Sequence, residues 1–186
     1  MKTLYLLAFN LFLLLSANCV SAQTARDLFL KADNLTKNGS LHPQYRDYVE
    51  LTSFQFGAER PISRVGGQFK GDPSSFREIA FTQLTSVNSA PFLSHLMIGS
   101  IISEMEFISL RNSNQDRSEV AYKVELKDVM ITSGTTSING GGAPVESFTI
   151  TYKAIKITTY SQDARGNLTA NPPFMYDQDT KTEGFQ

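Results

Sequence analysis

Ser89-Ala90-Pro91-Phe92-Leu93-Ser94-His95-Leu96-Met97-Ile98-Gly99 is a single short helix signal in a chain whose other regular segments read as β-strand. Ser89 can cap the helix start, and Pro91 in the first turn gives up an amide hydrogen that has no intrahelical partner there. Phe92, Leu93, Leu96 and Met97 fall at i, i+1, i+4 and i+5 and are expected on one apolar face, while Gly99 suits a left-handed stop. The spacing predicts a helix over about Ala90–Ile98. Alternating segments flank it, Glu78 to Val87 before and Glu104 to Arg111 after.

Working outward, Thr, Val, Ile, Phe and Tyr dominate the regular segments, and Gly, Asn, Ser and Pro dominate the breaks, which marks an all-β, mainly antiparallel domain. Val120, Tyr122, Val124 and Leu126 alternate with Ala121, Lys123, Glu125 and Lys127, predicting one apolar and one wet face. Phe148, Ile150, Tyr152 and Ala154 alternate in the same way with Thr149, Thr151 and Lys153. Ser137 to Pro144, with three successive glycines, reads as the hairpin connection between these strands. A glycine-rich loop cradles phosphate where it opens a helix; here it joins two strands, which excludes that reading. Ala58 to Phe76 carries Pro61, Gly66, Gly67, Gly71 and Pro73 among few apolar residues. It is expected to be a long exposed excursion with a function of its own, with Arg60, Arg64, Lys70 and Asp72 available as complementary charges.

The first residues have the form of a secretory signal: Lys2, an apolar stretch from Leu4 to Leu15, and the small-residue site Val20-Ser21-Ala22. The stretch is short for a membrane span. Cleavage after Ala22 divides the chain into a signal at 1–22 and one domain at 23–186, secreted or periplasmic, with 164 of the 186 residues left to build a core. A lipoprotein reading at Cys19 is the weaker alternative, because Asn18 stands where a small residue is expected. Cleavage removes the single cysteine, so no disulfide or thiol chemistry remains, and leaves 16 basic against 18 acidic residues, a net charge of −2. With the two signs interspersed, neither nucleic acid nor an anionic membrane surface is an expected partner.

Residues that carry chemistry do not assemble in the sequence. His42 and His95 lie in unrelated segments without metal-ligand spacing, and both read as surface histidines. Glu104 and Glu106 share a strand face, as an acid/base pair would, but Met105 and Phe107 on the other face make them the wet side of a half-buried strand. No nucleophile elbow accompanies the serines. No catalytic, cofactor-binding or metal-ligating residue is therefore assigned, no cofactor is expected, and the chain is not expected to be an enzyme. Asn34-Leu35-Thr36, Asn38-Gly39-Ser40 and Asn167-Leu168-Thr169 fit the glycosylation pattern and read as polar loops.

Phe81-Thr82-Gln83-Leu84-Thr85 leading into Ser89-Ala90-Pro91 resembles the Hcp (haemolysin-coregulated protein) family, the inner-tube proteins of type VI secretion systems. Asp27 to Ala32 resembles the family's first strand, with Leu28, Leu30 and Ala32 alternating, and Tyr48 to Gly57 its aromatic-rich second strand. Val120 to Ser133, Val145 to Tyr160 and Phe174 to Asp177 resemble later strands, so the likeness covers about Asp27 to Asp177. It implies a two-sheet β-barrel with one short helix, assembling with itself into stacked hexameric rings that carry effector cargo and meet a spike and a sheath. By position it makes Gln55, opposite Phe54 and Phe56, a candidate lumen residue, and Ala58–Phe76 a candidate contact between rings. A cleaved leader departs from the family pattern, which leaves open an alternative: an exported Hcp-like binding or assembly module acting outside the cytoplasm.

Overall fold

A computed structural model describes residues 27–71, 74–112, 118–164 and 167–185. The segment read as a signal and Asp72 lie outside the described residues. The strands are β1 (Leu28–Ala32), β2 (Val49–Gln55), β3 (Ala58–Glu59), β4 (Ile62–Val65), β5 (Gln68–Gly71), β6 (Ser75–Phe76) and β7 (Ile79–Leu84). The helix α1 (Ser89–Ile98) follows, then β8 (Ile102–Asn112), β9 (Ser118–Ser137), β10 (Val145–Thr151), β11 (Ala154–Gln162), β12 (Leu168–Ala170) and β13 (Phe174–Asp177). Among the described residues no helix is long and apolar enough to cross a membrane.

Pairing is antiparallel throughout, in the order β10-β7-β2-β1-β8-β9-β11-β12, with β13 also on β11. Because β10 returns to pair with β9, the strands β9-β8-β1-β2-β7-β10 close into a barrel. The 20 residues of β9 make this closure: its first half pairs with β8 and β11, its second half with β10. Closure removes most of the unpaired edge that an open sheet leaves to solvent. The two sheets of the expected barrel are therefore joined through one strand.

The barrel interior is aromatic. Phe81 lies 5.5 Å from Phe148, 5.8 Å from Phe107 and 5.9 Å from Phe92, and Phe107 stacks on Phe54 at 4.2 Å. Gly134 makes room for this packing, since a Cβ there meets the Phe148 ring at 3.0 Å and Leu96 at 3.2 Å. Leu30, Leu51, Ile79, Met105, Leu126, Ile150 and Ile155 complete the core.

Three details differ from simple alternation. A bulge between β8 and β9 pairs Ser109 with Tyr122 but Leu110 with Val120, so Ala121 is the extra residue. Val120 is thereby turned away from Tyr122, Val124 and Leu126, and packs outside the barrel with Phe29, Ile108 and Leu110. Second, the expected strand Val145 to Tyr160 is broken at Tyr152-Lys153, where its outer partner changes from β7 to β13. Asp128 opposite this break has φ 47°, and the inward set passes from Leu126 to Val129 and from Tyr152 to Ile155. Ala154, expected with Tyr152, is buried but pairs with Lys127 on the other face.

Third, α1 begins at Ser89 with Asn88 in the N-cap position and no side-chain cap bond. Ser89 Oγ accepts the Ser86 N–H at 2.9 Å and donates to Glu146 Oε2 at 2.6 Å. Phe92 is fully buried and Leu96 half-buried, but Leu93 is 52% and Met97 78% exposed. The barrel end accepts only the narrow Phe92/Leu96 stripe; the next residues around the helix turn away by about 100°. Gly99 does stop the helix as expected, at φ 72°, its N–H donating to the His95 carbonyl at 2.9 Å.

Candidate functional site

The described residues of the excursion at 58–76 form two short antiparallel ribbons. β3 pairs with β6 at its base and β4 with β5 at its tip. Gly66 and Gly67, at φ 60° and 81°, join Val65 to Gln68 in the two-residue turn that needs left-handed backbone at both central positions. At the base, the Phe76 ring lies 5.7 Å from Tyr176 and 6.0 Å from Phe174, and Arg77 Nε donates to Glu59 Oε2 at 2.8 Å. The tip has no core beneath it: Ile62, Val65 and Phe69 are 65%, 64% and 70% exposed. Arg64, expected as a docking charge, lies over the Phe69 ring at 4.9 Å. A second exposed apolar surface is the outer side of α1, with Leu93, Met97, Ile98 and Ile101.

Phe54 and Phe56 pack against the core and Gln55 points to solvent, as the alternation predicts. Beside them, the Thr82 hydroxyl bonds the hydroxyls of Thr52 and Ser53 at 2.5 and 2.6 Å.

The outer face of β1, β8, β9 and β11 carries an ionic lattice. Register places Lys31, Glu106, Glu125 and Lys156 in one row. Like-charged Glu106 and Glu125 face each other because Lys123 bridges them, at 2.5 and 3.3 Å. Lys156 holds Glu125 at 3.0 Å, Lys127 pairs with Glu104, and Tyr48 donates its hydroxyl to Glu106 at 2.7 Å. Burial pushes the Glu125 carboxyl up, but its bond to Lys156 and the Lys123 charge outweigh that and hold it below the usual range. Burial lowers Lys123, and its bonds to and the charges of Glu106 and Glu125 together more than reverse that, leaving it raised. Tyr48 is raised by burial and by its bond to Glu106. Glu104 and Glu106 are thus lattice members on the wet face, opposite buried Met105 and Phe107.

Alternation alone does not single out Glu146, although it shares strand parity with Phe148 and Ile150. It is buried in register with Gln83, whose Nε2 donates to Glu146 Oε2 at 2.8 Å, and this carboxylate fastens the start of α1 through Ser89. A carboxylate suits a helix N-terminus. Phe29 was missed too, on the outer side of β1, where Tyr45 stacks on it at 5.0 Å. The uninterrupted apolar run Leu28-Phe29-Leu30 was the available signal of a strand covered on both faces. His42 packs at the edge of this aromatic group, 5.5 Å from Phe29, while His95 lies on α1 with Nδ1 3.2 Å from the Pro91 carbonyl. Among the described residues no three His, Cys, Asp or Glu side chains converge as a metal site.

A family model described as "Type VI secretion system effector, Hcp" matches residues 29–159. The chain belongs to the Hcp family. Its members are structural, non-enzymatic proteins of type VI secretion systems, are secreted, and typically form hexamers. Among solved structures, one described as a type six secretion system protein is similar with a TM-score of 0.76 and 18% identity, over 85% of this chain and 99% of its own. Hcp1 from Salmonella typhimurium is similar at 0.68 and 16%, over 84% and 97% of the two chains. A type VI secretion system effector from Yersinia pestis is similar at 0.61 and 16%, over 81% and 99%. At these identities the likeness carries the Hcp fold, and the family match carries membership. No curated protein matches the chain.

Proposed function

We propose that this Hcp protein is a tube subunit: hexameric rings stack into a tube that carries effector proteins, pushed by a sheath behind a spike. The observation that carries this reading is the hairpin tip, where β4 and β5 hold Ile62, Val65 and Phe69 in solvent away from the core. Apolar groups grouped on an exposed β4–β5 ribbon fit a surface that another subunit covers. The hairpin at 58–76 is the proposed contact between rings, and Gln55 a proposed lumen residue. Two edges support head-to-tail closure. Past Val129, β9 has β10 on one side and no strand on the other among the described residues, and β12 and β13 line the free side of β11. Unlike edges that repeat through a closing rotation generate a ring.

Light scattering and negative-stain imaging of residues 23–186 test this. Annuli of hexamer mass are the expected result, and a plain monomer at high concentration overturns it.

The 1–22 segment favours a second reading, an exported Hcp-like module acting in the periplasm or outside the cell, with cleavage after Ala22. N-terminal sequencing of the native protein decides it: a chain beginning at Gln23 supports export, and one retaining Met1 removes it.

A further inference from the structure

Strand register assembles a second outer face on the barrel, away from the ionic lattice. Ser53, Thr82, Ser147 and Thr135 lie in one row across β2, β7, β10 and β9, and Gln55, Ala80, Thr149 and Ser133 lie in the next. Their neighbours Phe54, Phe81, Phe148 and Ile150 pack into the core, so both rows point outward. Asp, Glu, Lys and Arg make up 19% of the chain, yet over 52–55, 79–84, 130–137 and 145–151 the single ionisable side chain is Glu146. Glu146 is buried against Gln83 on the inner side. The outer face is therefore without charge.

Its hydrogen-bonding groups are only partly used. Thr52 is the extra residue of a bulge, because Leu51 pairs with Gln83 but Ser53 with Thr82. Thr52, Thr82 and Ser53 own three O–H donors and make two bonds, of 2.5 and 2.6 Å, so one donor is left for an acceptor outside the trio. Gln55, Ser133, Thr135 and Ser147 are exposed, and among the described residues their side chains make no hydrogen bond. The aromatic rings of these strands turn inward, so the face has no platform on which a sugar ring could stack.

A charged side chain set against this wall gives up water and meets no opposite charge in return. Hydroxyl and amide groups exchange one hydrogen bond for another at little net cost, and with no charge on the wall there is little for salt to screen.

We propose that this face recognises polypeptide surfaces rich in Ser, Thr, Asn and Gln, by hydrogen bonds alone, and rejects strongly charged ones. This rests on the tube reading, which puts Gln55 in the lumen, and it names the class of cargo: effectors that turn uncharged polar side chains to the wall. Every subunit repeats the face, so contacts that are weak singly add up along one cargo chain.

The test uses the chain from Gln23, immobilised densely so that one probe meets several copies. The probes are unstructured polypeptides of equal length: one of Ser, Thr, Asn, Gln and Gly, and two in which every fourth residue is Glu or Lys. The neutral probe is expected to bind at least tenfold tighter than either charged one. Its affinity is expected to change less than twofold between about 50 and 500 mM NaCl, over which the screening length shortens roughly threefold. Ser133→Ala, Thr135→Val and Ser147→Ala together are expected to weaken it at least fivefold, with circular dichroism verifying the fold. Ser147→Lys is expected to bring in the Glu probe, with an affinity that falls as salt rises. No capture of the neutral probe, equal capture of a charged probe, or unchanged capture by the triple variant overturns the proposal. Equal capture of dextran overturns the choice of a polypeptide. The assay reads the face whether or not rings form. Annuli without capture overturn the recognition chemistry alone, and capture without annuli overturns the tube while supporting the face.

Discussion

The barrel and the hairpin at 58–76 are built from the same residue types and use them in opposite ways. In the barrel, Phe81, Phe92, Phe107 and Phe148 meet one another behind a closed ring of strands, and each is almost wholly removed from water. In the hairpin, Ile62, Val65 and Phe69 stand exposed on a two-stranded ribbon outside the core clusters, held by a glycine turn at the tip and aromatic contacts at the base. Two-stranded ribbons have little stability of their own. The interior aromatics therefore hold the fold together, and the proposed tube reading assigns the exposed Ile62, Val65 and Phe69 to a contact outside it.

The sharpest way to break that comparison is Phe81→Ala, which removes the ring at the centre of the aromatic group. A loss of about 3–5 kcal/mol is expected in urea unfolding. A loss below about 1 kcal/mol contradicts a tightly packed interior.

Gly39→Ala probes the seam where the β1–β2 connection crosses the start of α1. An added Cβ falls 2.5 Å from Asn88 Nδ2 and 2.6 Å from the Tyr48 carbonyl oxygen, and the backbone atom cannot swing aside. The expected cost is about 1–3 kcal/mol. A neutral substitution shows that this seam yields.

The lattice on the barrel's outer face is expected to matter less and to depend on pH. Glu125 is held below its unfolded value, so its contribution is present above the ordinary carboxylate range and is lost as pH falls through the folded value. With side chains about one-quarter exposed, it contributes roughly 1 kcal/mol. Glu125→Gln should flatten the stability profile below about pH 4.3, read by unfolding at a series of pH values. An unchanged acid limb refutes the lattice as its source.

Ile62→Ser with Phe69→Ser is expected to change subunit unfolding by less than about 0.5 kcal/mol, the usual range for exposed sites. It is expected to abolish tube stacking in negative-stain images. A large stability loss shows that the hairpin belongs to the subunit's own core, and unchanged stacking frees it from the ring contact.

What was legible in the chain was local. Period-two alternation located the strands, Gly99 located the helix stop, and Phe54 and Phe56 declared the side on which Gln55 faces out. Each depends on residues within a turn or two of one another. The sequence also carried the family resemblance, through the order and spacing of segments that are individually unspecific.

Tertiary structure decided everything that depends on a partner strand. Ala121 is an extra residue only because β8 has nothing opposite it, and that one insertion turns Val120 from the interior to the outside. Glu146 is buried because β7 brings Gln83 against it and α1 brings Ser89. Leu93 and Met97 remain in water because the barrel end is wide enough for Phe92 and Leu96 alone. Alternation fixes which residues share a face, a short-range property of the backbone. Which face is covered is fixed by register and closure, and those are set by residues distant in the chain.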